Sequence, residues 1–333
     1  MLNKKKLALV TGGAGFIGSH MVDLLIDKNF SVIVIDNLSG GHIKNIKKHF
    51  KKKIFKFIKK DLSLININSS VFNNLDYIFH FAGKGDIVPS IKNPQIYFNT
   101  NLLGTINILK LGQKINVKKF VYAASSSCYG LAEVPTGENH AIKPLYPYAL
   151  SKFMGEQAVM HWYKLYGLKA NSIRIFNAYG PRVRTTGDYG AVFGVFFKQK
   201  LKNKPFTLVG DGKQKRDFLH VRDVVRAFYL AAKTKFNGRI YNLGAGRPVS
   251  ILKLIKLIGG KYVNIPKRPG EPDVTWANIS KIKKELKWKP KIKFENGVKE
   301  MLKNINSWKD APLWNKKKIK LATKDWFKYM KNN

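Results

Sequence analysis

A glycine-rich segment near the start of the chain, TGGAGFIGSH at residues 11–20, restricts the possible folds more than any other feature. It follows a short apolar run at residues 7–10 and precedes an amphipathic stretch, as a turn between a strand and a helix would. Gly12, Gly15 and Gly18 permit the tight turn, a close backbone approach to a pyrophosphate, and close packing of the helix on the strand. The positive end of the helix would then face phosphate groups. The segment predicts a dinucleotide site.

A carboxylate follows at the distance that such a site requires. The second predicted strand ends at Asp36, 18 residues after Gly18, where a carboxylate would bind both hydroxyls of an adenosine ribose. Its charge would repel the 2′-phosphate of NADP, so NAD is the expected cofactor. Further cofactor contacts are expected at the start of the helix and at strand ends, namely Phe16, Ile17, Asn37, Asp61, Leu62, Phe81, Ala82 and Gly83.

Short apolar runs alternate with amphipathic stretches through the first half of the chain. The predicted strands are residues 7–10, 32–36, 54–58, 76–81, 120–124 and 173–176. The predicted helices are residues 16–28, 94–114 and 148–166. Strands that alternate with helices indicate βαβ units. The expected fold class is α/β, a Rossmann-type doubly wound parallel sheet with helices on both faces.

The regular alternation ends after residue 180. Segment 180–220 is rich in glycine and basic residues, and segment 261–292 carries several prolines. We therefore expect a smaller C-terminal α/β lobe that binds the substrate. The predicted NAD-binding domain comprises residues 1–176 and 221–243, of which 221–233 form a helix. The predicted substrate lobe comprises residues 177–220 and 244–333.

Cysteine content and apolar runs limit the class of protein further. The single cysteine excludes an internal disulfide and any cysteine-based metal site, so a reducing compartment and no metal are expected. The start, MLNKKKLALVTGG, contains an apolar run too short for a signal peptide, and no run of about 20 apolar residues follows. We expect a soluble cytoplasmic protein without a membrane partner.

The net charge of +41 arises from 61 lysines and arginines against 20 acidic residues. Such a charge can serve nucleic-acid binding by neutralising phosphates. Here the lysines interleave with periodic apolar residues, as in segments 47–60 and 314–333, and do not form a separate tail. Solvated, scattered lysines are the preferred interpretation, and nucleic acid is not an expected partner. A non-enzymatic Rossmann protein that binds nucleic acid stays as a remote alternative.

The segment YPYALSK at residues 146–152 places Tyr148 and Lys152 four positions apart, so on a helix both side chains lie on one face. A tyrosine with its ordinary pKa of about 10 is too weak a base at neutral pH. A neighbouring ammonium and a positive nicotinamide ring would both favour the phenolate and lower that pKa. Upstream, the segment YAASSSCYG ends a predicted strand with three serines, one of which could orient proton transfer.

Eight motifs now stand in a characteristic order: TGGAGFIG, Asp36, HFAG, SSSCYG, YPYALSK, FNAYGPR, KRDFLHVRD and RPGEPD. In this order they resemble the extended short-chain dehydrogenases/reductases, and within these the NAD-dependent nucleotide-sugar epimerases and dehydratases. The similarity is greatest to UDP-hexose 4-epimerases, and it covers residues 7 to about 292.

The resemblance implies roles for particular residues. Counting back from Tyr129-Gly130 places the catalytic hydroxyl on Ser125, which would act with Tyr148 and Lys152. Asn101 would contact NAD, and Lys84 lies one position from a lysine that family members often carry. Ser90 and Ser126 would approach the sugar. The resemblance further implies a homodimer formed through helices 94–114 and 148–166.

For the other half of the substrate, the resemblance implies a nucleoside diphosphate. Arg216 and Arg268 fall on the diphosphate-binding arginines, whose forks match phosphate oxygens, and Asn177 falls on a phosphate-contacting asparagine. Phe206 begins a strand that would hold the pyrimidine. Thr275 stands where a bulky residue restricts sugar substituents, so UDP-GlcNAc would be accepted beside UDP-Glc. Arg184 stands where some uronate epimerases pair an arginine with a carboxylate, so a UDP-glucuronate-type substrate stays open.

The two serines after Ser125 bear on the reaction. In the 4,6-dehydratases an Asp-Glu pair immediately follows the catalytic hydroxyl residue, and the 4-carboxy route uses a glutamate in the same pair. This chain has Ser126 and Ser127 there, and a neutral hydroxyl is a poor acid and base at pH 7. Epimerisation at C4 needs neither acid and is therefore predicted, with dehydration as an alternative.

Overall fold

The computed structural model describes residues 5–183 and 191–330 of the 333-residue chain. Its centre is a seven-stranded sheet in which every neighbouring pair is parallel, in the order β11-β6-β5-β4-β1-β2-β3. The strands of this sheet are β1 (Leu7–Thr11), β2 (Ser31–Asp36), β3 (Phe55–Lys59), β4 (Tyr77–His80), β5 (Lys119–Ser125), β6 (Ala170–Ile175) and β11 (Arg239–Leu243).

Helices cover both faces of this sheet, as the predicted doubly wound fold requires. They are α1 (Phe16–Asp27), α2 (Ile87–Lys92), α3 (Pro94–Phe98), α4 (Gly104–Lys114), α5 (Pro147–Tyr166) and α7 (Val221–Lys233). Continuous apolar runs in β1, β2, β4 and β5 are buried because both faces of a parallel sheet are covered. The α/β Rossmann-type fold predicted from the sequence is confirmed.

From β1 the sheet continues in one direction with β2 and β3, and from β4 it continues in the other direction with β5 and β6. The strand order therefore reverses between β1 and β4. In open parallel sheets the crevice at such a reversal, at the carboxyl ends of the strands, is the usual ligand site. Thr11, Asp36, His80 and Ser125 are the last residues of β1, β2, β4 and β5. The sheet therefore brings the ends of four predicted motif strands to one edge.

The second half of the chain adds three two-stranded ladders and six helices within the described residues. The ladders pair β7 (Asn177–Tyr179) with β10 (Phe218–His220), β8 (Phe206–Val209) with β13 (Tyr262–Ile265), and β9 (Lys215–Arg216) with β12 (Val249–Ser250). The helices are α6 (Val192–Leu201), α8 (Ile251–Ile258), α9 (Ser280–Leu286), α10 (Phe294–Lys303), α11 (Lys316–Ala322) and α12 (Lys324–Tyr329).

The hydrophobic cores divide differently from the predicted domains. The second core, built on Phe197, Phe206 and Trp308, belongs to the predicted substrate lobe. Ile282 and Trp288, which the sequence assigns to the same lobe, pack instead with the core under the parallel sheet. The domain boundaries at residues 176, 221 and 243 stay a prediction.

Three differences separate predicted from observed elements. The strand β11 was not predicted, because RIYNL is a short run behind a basic residue. The predicted helix 94–114 is divided by a π-helical turn at Asn99–Leu103, and such turns often accompany functional sites. The helix predicted at 148–166 begins one residue earlier, at Pro147, whose ring suits the first helical position.

Candidate active site

A cavity of about 1060 Å³ opens at the carboxyl edge of the parallel sheet. Most residues predicted for the cofactor and for catalysis lie in its wall: Gly12, Gly15, Phe16, Ile17, Gly18, Asp36, Asn37, Asp61, Leu62, Phe81, Ala82, Gly83, Lys84, Ser125, Tyr148 and Lys152. Segments that are far apart in the chain thus meet in one cleft.

The turn after β1 forms part of its wall. Gly12 has a φ of +66°, and a Cβ added there would lie 2.7 Å from the backbone nitrogen of Ala82. A Cβ at Gly18 would lie 2.2 Å from the carbonyl oxygen of Gly12. The amino terminus of α1 follows directly, and among the described residues no side chain caps it. Its N–H groups are therefore suited to an anion such as a pyrophosphate.

Asp36 forms the wall next to this turn and is 8% exposed. Its Oδ2 accepts from the backbone N–H of Ala14 at 3.0 Å, and its Oδ1 accepts from that of Leu38 at 2.8 Å. Burial raises the pKa of Asp36 above its ordinary value, and these backbone hydrogen bonds oppose the rise. Each carboxylate oxygen keeps a second lone pair with which it can accept a hydroxyl.

Asp61 lies across the same region, after β3. It accepts from Asn37 Nδ2 at 2.6 Å and from the backbone N–H of Ser63 at 2.9 Å. The Ser63 N–H holds the pKa of Asp61 below its usual range. The three residues form a polar rim around the predicted adenosine end of the cleft.

The predicted catalytic group lies where β5 and α5 meet. Ser125 ends β5 and is 8% exposed, and its hydroxyl lies near Tyr148 in the first turn of α5. The Tyr148 ring lies parallel to that of Tyr146, with centroids 6.4 Å apart, and edge-on to that of Tyr97. Burial raises the pKa of Tyr148, whereas the nearby Ser125 hydroxyl lowers it. The raised pKa differs from the lowering that the Lys152 ammonium and a nicotinamide ring were expected to cause, because burial of the phenol disfavours its charged form.

Lys152 contacts an aromatic residue, Tyr122, that was not predicted to belong to the site. Its Nζ lies 4.3 Å from the ring centroid of Tyr122, over the face of that ring, and Lys152 is 6% exposed. Burial lowers the pKa of Lys152 to about 7, and the charge of Glu156 opposes this. Tyr122 lies inside β5, three residues before Ser125. In the sequence it is one residue of the apolar run that predicts the strand, so its contact with Lys152 could not be predicted.

A buried ion pair supports α5 one turn beyond Lys152. Glu156 and Arg174 are 1% and 3% exposed, with Arg174 NH2 2.6 Å from Glu156 Oε1. Arg174 NH1 also donates to Tyr129 Oη at 2.7 Å, and Tyr129 Oη donates to Asn242 Oδ1 at 2.7 Å. This chain of contacts joins α5, the turn after Ser125, β6 and β11.

Two predicted contact residues are buried away from the cleft. Asn101 is completely buried in the π-helical turn, and its side chain binds the backbone N–H and carbonyl of Lys84, at 2.8 and 3.1 Å. It therefore anchors the loop that carries Lys84. Ser90 is also completely buried, and its hydroxyl donates to the carbonyl of Ile87 at 2.6 Å. Both side chains use their polar atoms within the protein.

The predicted diphosphate arginines lie together around one carboxylate. Arg216 NH2 and Arg268 NH2 both donate to Glu271 Oε1 at 2.9 Å, and Arg268 Nε donates to Glu271 Oε2 at 2.7 Å. Burial alone would raise the pKa of Glu271, but the two guanidinium charges hold it below its usual range. Glu271 was not predicted, although its position three residues after Arg268 in RPGEPD was a signal.

The remaining predicted substrate residues do not form one cluster, and one of them lies outside the described structure. Thr275 Oγ1 donates to Asn177 Oδ1 at 2.6 Å. The NH2 group of Asn177 therefore points away from Thr275. Phe206 begins β8 as predicted, but its ring is 1% exposed and stacks on Phe196, so it belongs to the lobe core. Arg184 lies outside the described residues. Ser126 is half-buried in the turn after Ser125.

A glycine-lined dinucleotide cleft with a Ser-Tyr-Lys group at its inner end defines the class of short-chain dehydrogenases/reductases. A family model described as GDP-mannose 4,6 dehydratase matches residues 9–301. The chain belongs to this family of NAD-dependent nucleotide-sugar epimerases and dehydratases, within the extended short-chain dehydrogenases/reductases.

Three similar proteins illustrate the family. A putative UDP-glucose 4-epimerase of Methanocaldococcus jannaschii is 36% identical over 312 residues, which cover 90% of this chain and 99% of that protein. A UDP-N-acetylglucosamine 4-epimerase of Methanobrevibacter ruminantium, solved with UDP-N-acetylmuramic acid, has a TM-score of 0.87 and 31% identity, covering 91% of this chain and 99% of its own. A UDP-glucuronic acid 4-epimerase of Bacillus cereus, solved with UDP-glucuronic acid and NAD, has a TM-score of 0.84 and 31% identity, covering 90% and 99%.

Two observations concern other classes of site. In residues 5–183 and 191–330, no helix combines the length and the apolar character needed to cross a membrane. Across the same part of the chain, no group of three or more His, Cys, Asp or Glu side chains is arranged to hold a metal ion.

Proposed function

We propose that this protein epimerises C4 of a UDP-hexose, with NAD as a resident cofactor. The observation that carries the proposal is that Ser125, Tyr148 and Lys152 lie together in the wall of the dinucleotide cleft. The two residues that follow Ser125 are serines, where an eliminating enzyme needs acidic groups. The substrates of the similar proteins, UDP-glucose, UDP-N-acetylglucosamine and UDP-glucuronic acid, support the nucleotide.

The residues of the cleft fit NAD. A pyrophosphate can approach the backbone closely at Gly12 and Gly15 because these residues carry no side chain, and it would face the amino terminus of α1. Asp36 would accept the adenosine-ribose hydroxyls through its remaining lone pairs. When bound, NAD would supply the hydride acceptor and donor for C4. The NAD present in the Bacillus cereus relative supports this assignment.

The chain's own residues then handle the proton. Ser125 orients the C4 hydroxyl and the Tyr148 phenol, and Tyr148 accepts the proton as a general base. Protonated below its lowered pKa of about 7, Lys152 stabilises the phenolate form of Tyr148 electrostatically. Once the sugar has rotated, Tyr148 would return the proton to the C4 oxygen, while the hydride needed at the opposite face of C4 is the chemistry that bound NAD would supply. Ser126 and Ser127 have ordinary hydroxyls and remove no proton from C5.

The substrate half would be recognised by the two arginines that surround Glu271. Arg216 and Arg268 would bind the diphosphate, with Asn177 contributing its amide N–H. The small side chain of Thr275 leaves room for an N-acetyl substituent on the sugar. Outside the described residues, Arg184 keeps its predicted role toward a C6 carboxylate.

The deciding experiment incubates the NAD-loaded protein separately with UDP-Glc, UDP-GlcNAc, UDP-GlcA and dTDP-Glc and identifies the products by NMR. The expected result is conversion of a UDP-sugar to its C4 epimer with no net change in NAD. A stable 4-keto-6-deoxy sugar would instead identify a dehydratase, and release of carbon dioxide from UDP-GlcA a decarboxylase. No turnover of any of the four would overturn the proposal.

A UDP-glucuronate 4-epimerase is the second candidate. Two similar proteins favour it. One is the Bacillus cereus UDP-glucuronic acid 4-epimerase, and the other is a UDP-glucuronate 4-epimerase that is 34% identical over 330 residues. The same panel separates the two, because the UDP-GlcA epimer would then form at least ten times faster than the UDP-Glc epimer. The ratio of the two rates is the measurement.

A further inference from the structure

Residues 316–330 lie beyond the part of the chain that the family model matches, which ends at residue 301. This segment, here the C-terminal strap, contains α11 and α12. Its apolar side chains Ile319, Trp326 and Met330 are 4%, 3% and 3% exposed, so the strap is part of the folded lobe. Its partners include residues that the proposed function uses.

Trp326 makes three contacts at this surface. Its indole Nε1 donates to the carbonyl of Pro269 at 2.7 Å. The guanidinium carbon of Arg268 lies 5.4 Å from the centre of its ring, over the ring face. The Tyr146 ring, two residues before Tyr148, lies 6.0 Å away. One side chain of the strap therefore joins the RPGEPD loop to the start of α5.

Met330 closes the same junction from the end of α12. A Cβ added to Gly270 would lie 2.7 Å from Met330 Cε, and Gly270 has a φ of +67°. A small cavity of about 260 Å³ separates Met330 from α2 and the start of α5, with Ile91 and Pro147 in its wall. The strap thus packs against the turn of the RPGEPD loop itself.

These contacts limit the freedom of the Arg268 side chain. Glu271 binds the Nε and NH2 edge of the guanidinium, while Trp326 covers one face. A cation over an indole face is attracted to it, and indole is the best aromatic partner for this contact. An arginine whose rotamer is fixed in advance loses less entropy when it binds an anion. Removal of the indole would leave Arg268 to be ordered by the ligand.

We propose that Trp326 is a positioning residue for nucleotide binding, which acts by holding Arg268 in place for the diphosphate. Trp326 itself is not part of the wall of the cofactor cleft. The identity of the ligand rests on the proposed function, whereas the contact between Trp326 and Arg268 does not. The strap therefore acts on affinity for the nucleotide through Arg268.

The test compares Trp326→Ala and Trp326→Phe with Tyr329→Ala, which removes an aromatic ring that is 59% exposed from the same helix. Calorimetric titration of the NAD-loaded proteins with UDP is expected to show affinity about tenfold weaker for Trp326→Ala. Trp326→Phe keeps a ring over Arg268 and should lose affinity only about threefold. Tyr329→Ala should match the parent, and NAD affinity should be the same in all four proteins.

Kinetics add a second readout. The KM for the UDP-sugar should rise with the loss of UDP affinity, while kcat stays within about twofold of the parent. In an Arg268→Ala background, Trp326→Ala should cause no further loss, because its effect passes through Arg268. An equal loss in that background would overturn the proposal, as would UDP affinity of Trp326→Ala equal to that of the parent.

Two remaining outcomes are also decisive. Should Trp326→Ala lose NAD affinity as well, the strap would be a general structural element and the proposal would be wrong. The UDP titration needs no turnover, so an inactive parent that binds UDP overturns the proposed function and leaves this test valid. A parent that binds none of UDP, dTDP and GDP would overturn both.

Discussion

The guanidinium of Arg174 lies 2.6 Å from the carboxylate of Glu156, and both side chains are almost completely buried between α5 and β6. Ser172 Oγ also donates to Glu156 Oε2 at 2.8 Å. Removal of one charge from such a pair leaves the other buried and unpaired, which costs several kcal/mol. The pair therefore fixes α5 to the sheet one turn after Lys152.

Glu156→Gln is expected to lower the free energy of unfolding by about 3–5 kcal/mol, because the Arg174 charge stays buried without its partner. Urea unfolding followed by circular dichroism measures the change. Glu295→Gln is the matched control, since Glu295 forms an exposed ion pair with Lys253 and should cost less than about 1 kcal/mol. Equal losses in the two variants would contradict the role of burial.

Tyr148→Phe is expected to lower turnover of the UDP-sugar by about 10² to 10⁴-fold, because the phenol that moves the proton is removed. NAD affinity and the melting temperature should stay at the parent values. Tyr166→Phe, at the exposed end of the same helix, should retain full turnover. Turnover at the parent rate by the Tyr148→Phe protein would remove this tyrosine from the reaction.

Asp36→Asn is expected to weaken NAD binding about tenfold, because a charged acceptor for two ribose hydroxyls becomes neutral. Its preference for NAD over NADP should shrink, since the repulsion of the 2′-phosphate disappears. Dissociation constants for both dinucleotides give the measurement. Asp27→Asn, at the exposed end of α1, should change neither. An unaltered NAD to NADP ratio in Asp36→Asn would contradict the predicted role.

His80 is expected to make stability depend on pH. Thr105 Oγ1 donates its only hydrogen to Asn101 O, so it accepts from His80 Nε2, and His80 Nδ1 accepts from Thr11. Burial lowers the pKa of His80 to about 3, whereas an unfolded histidine titrates near 6.5. Between these values only the unfolded chain binds the proton. Stability is therefore full above pH 6.5 and falls by about 1.4 kcal/mol per pH unit below it.

Urea unfolding of the parent and His80→Gln at pH 7, 6 and 5 measures this slope. His80→Gln should be less stable at every pH, but its slope should be smaller by one proton. His161 is exposed, so His161→Gln should keep the parent slope. Burial also lowers the pKa of His220 to about 3 and that of His20 to about 4, and both should contribute to the slope that remains. Identical slopes in parent and His80→Gln would show that His80 is protonated in the folded protein.

Exposed apolar side chains on α3, α5 and the π-helical turn suit the homodimer that the family resemblance implies. They include Ile96, Leu103, Leu150 and Met154, which are 37–51% exposed. Light scattering is expected to give twice the chain mass of 37.9 kDa. The double variant with Leu103→Glu and Leu150→Glu should shift toward the monomer. Leu321→Glu, on α11, should not, and a monomeric parent would exclude this interface.

The sequence predicted the fold because its signals are local. Continuous apolar runs placed six of the seven strands of the sheet, and the glycine turn placed the cofactor cleft. The predicted residues at the strand ends, such as Asp36 and Ser125, line one cleft because the ends of parallel strands meet at one edge. Their roles toward NAD and the sugar stay predictions. Strand β11 was missed because only its pairing with β6 stabilises so short a run.

The contacts that were missed depend on tertiary structure. Tyr122 reads as one more buried strand residue, and nothing in its spacing shows that its ring faces Lys152. Asn101 was expected at the cofactor, but a π-helical turn directs its amide to the Lys84 backbone. Trp326 is 58 residues from Arg268, and the order of residues alone does not show that they meet.

The close approach of Gly12 to Ala82 has a consequence for folding. These residues are joined only after β1 and β4 have paired, and 70 positions of chain separate them. The cofactor cleft therefore does not exist in any fragment that lacks β4. NAD would bind late, to a completed sheet, and its binding energy would add to the stability of the whole domain. NAD binding would thus follow the completion of folding and would not accelerate the early folding steps.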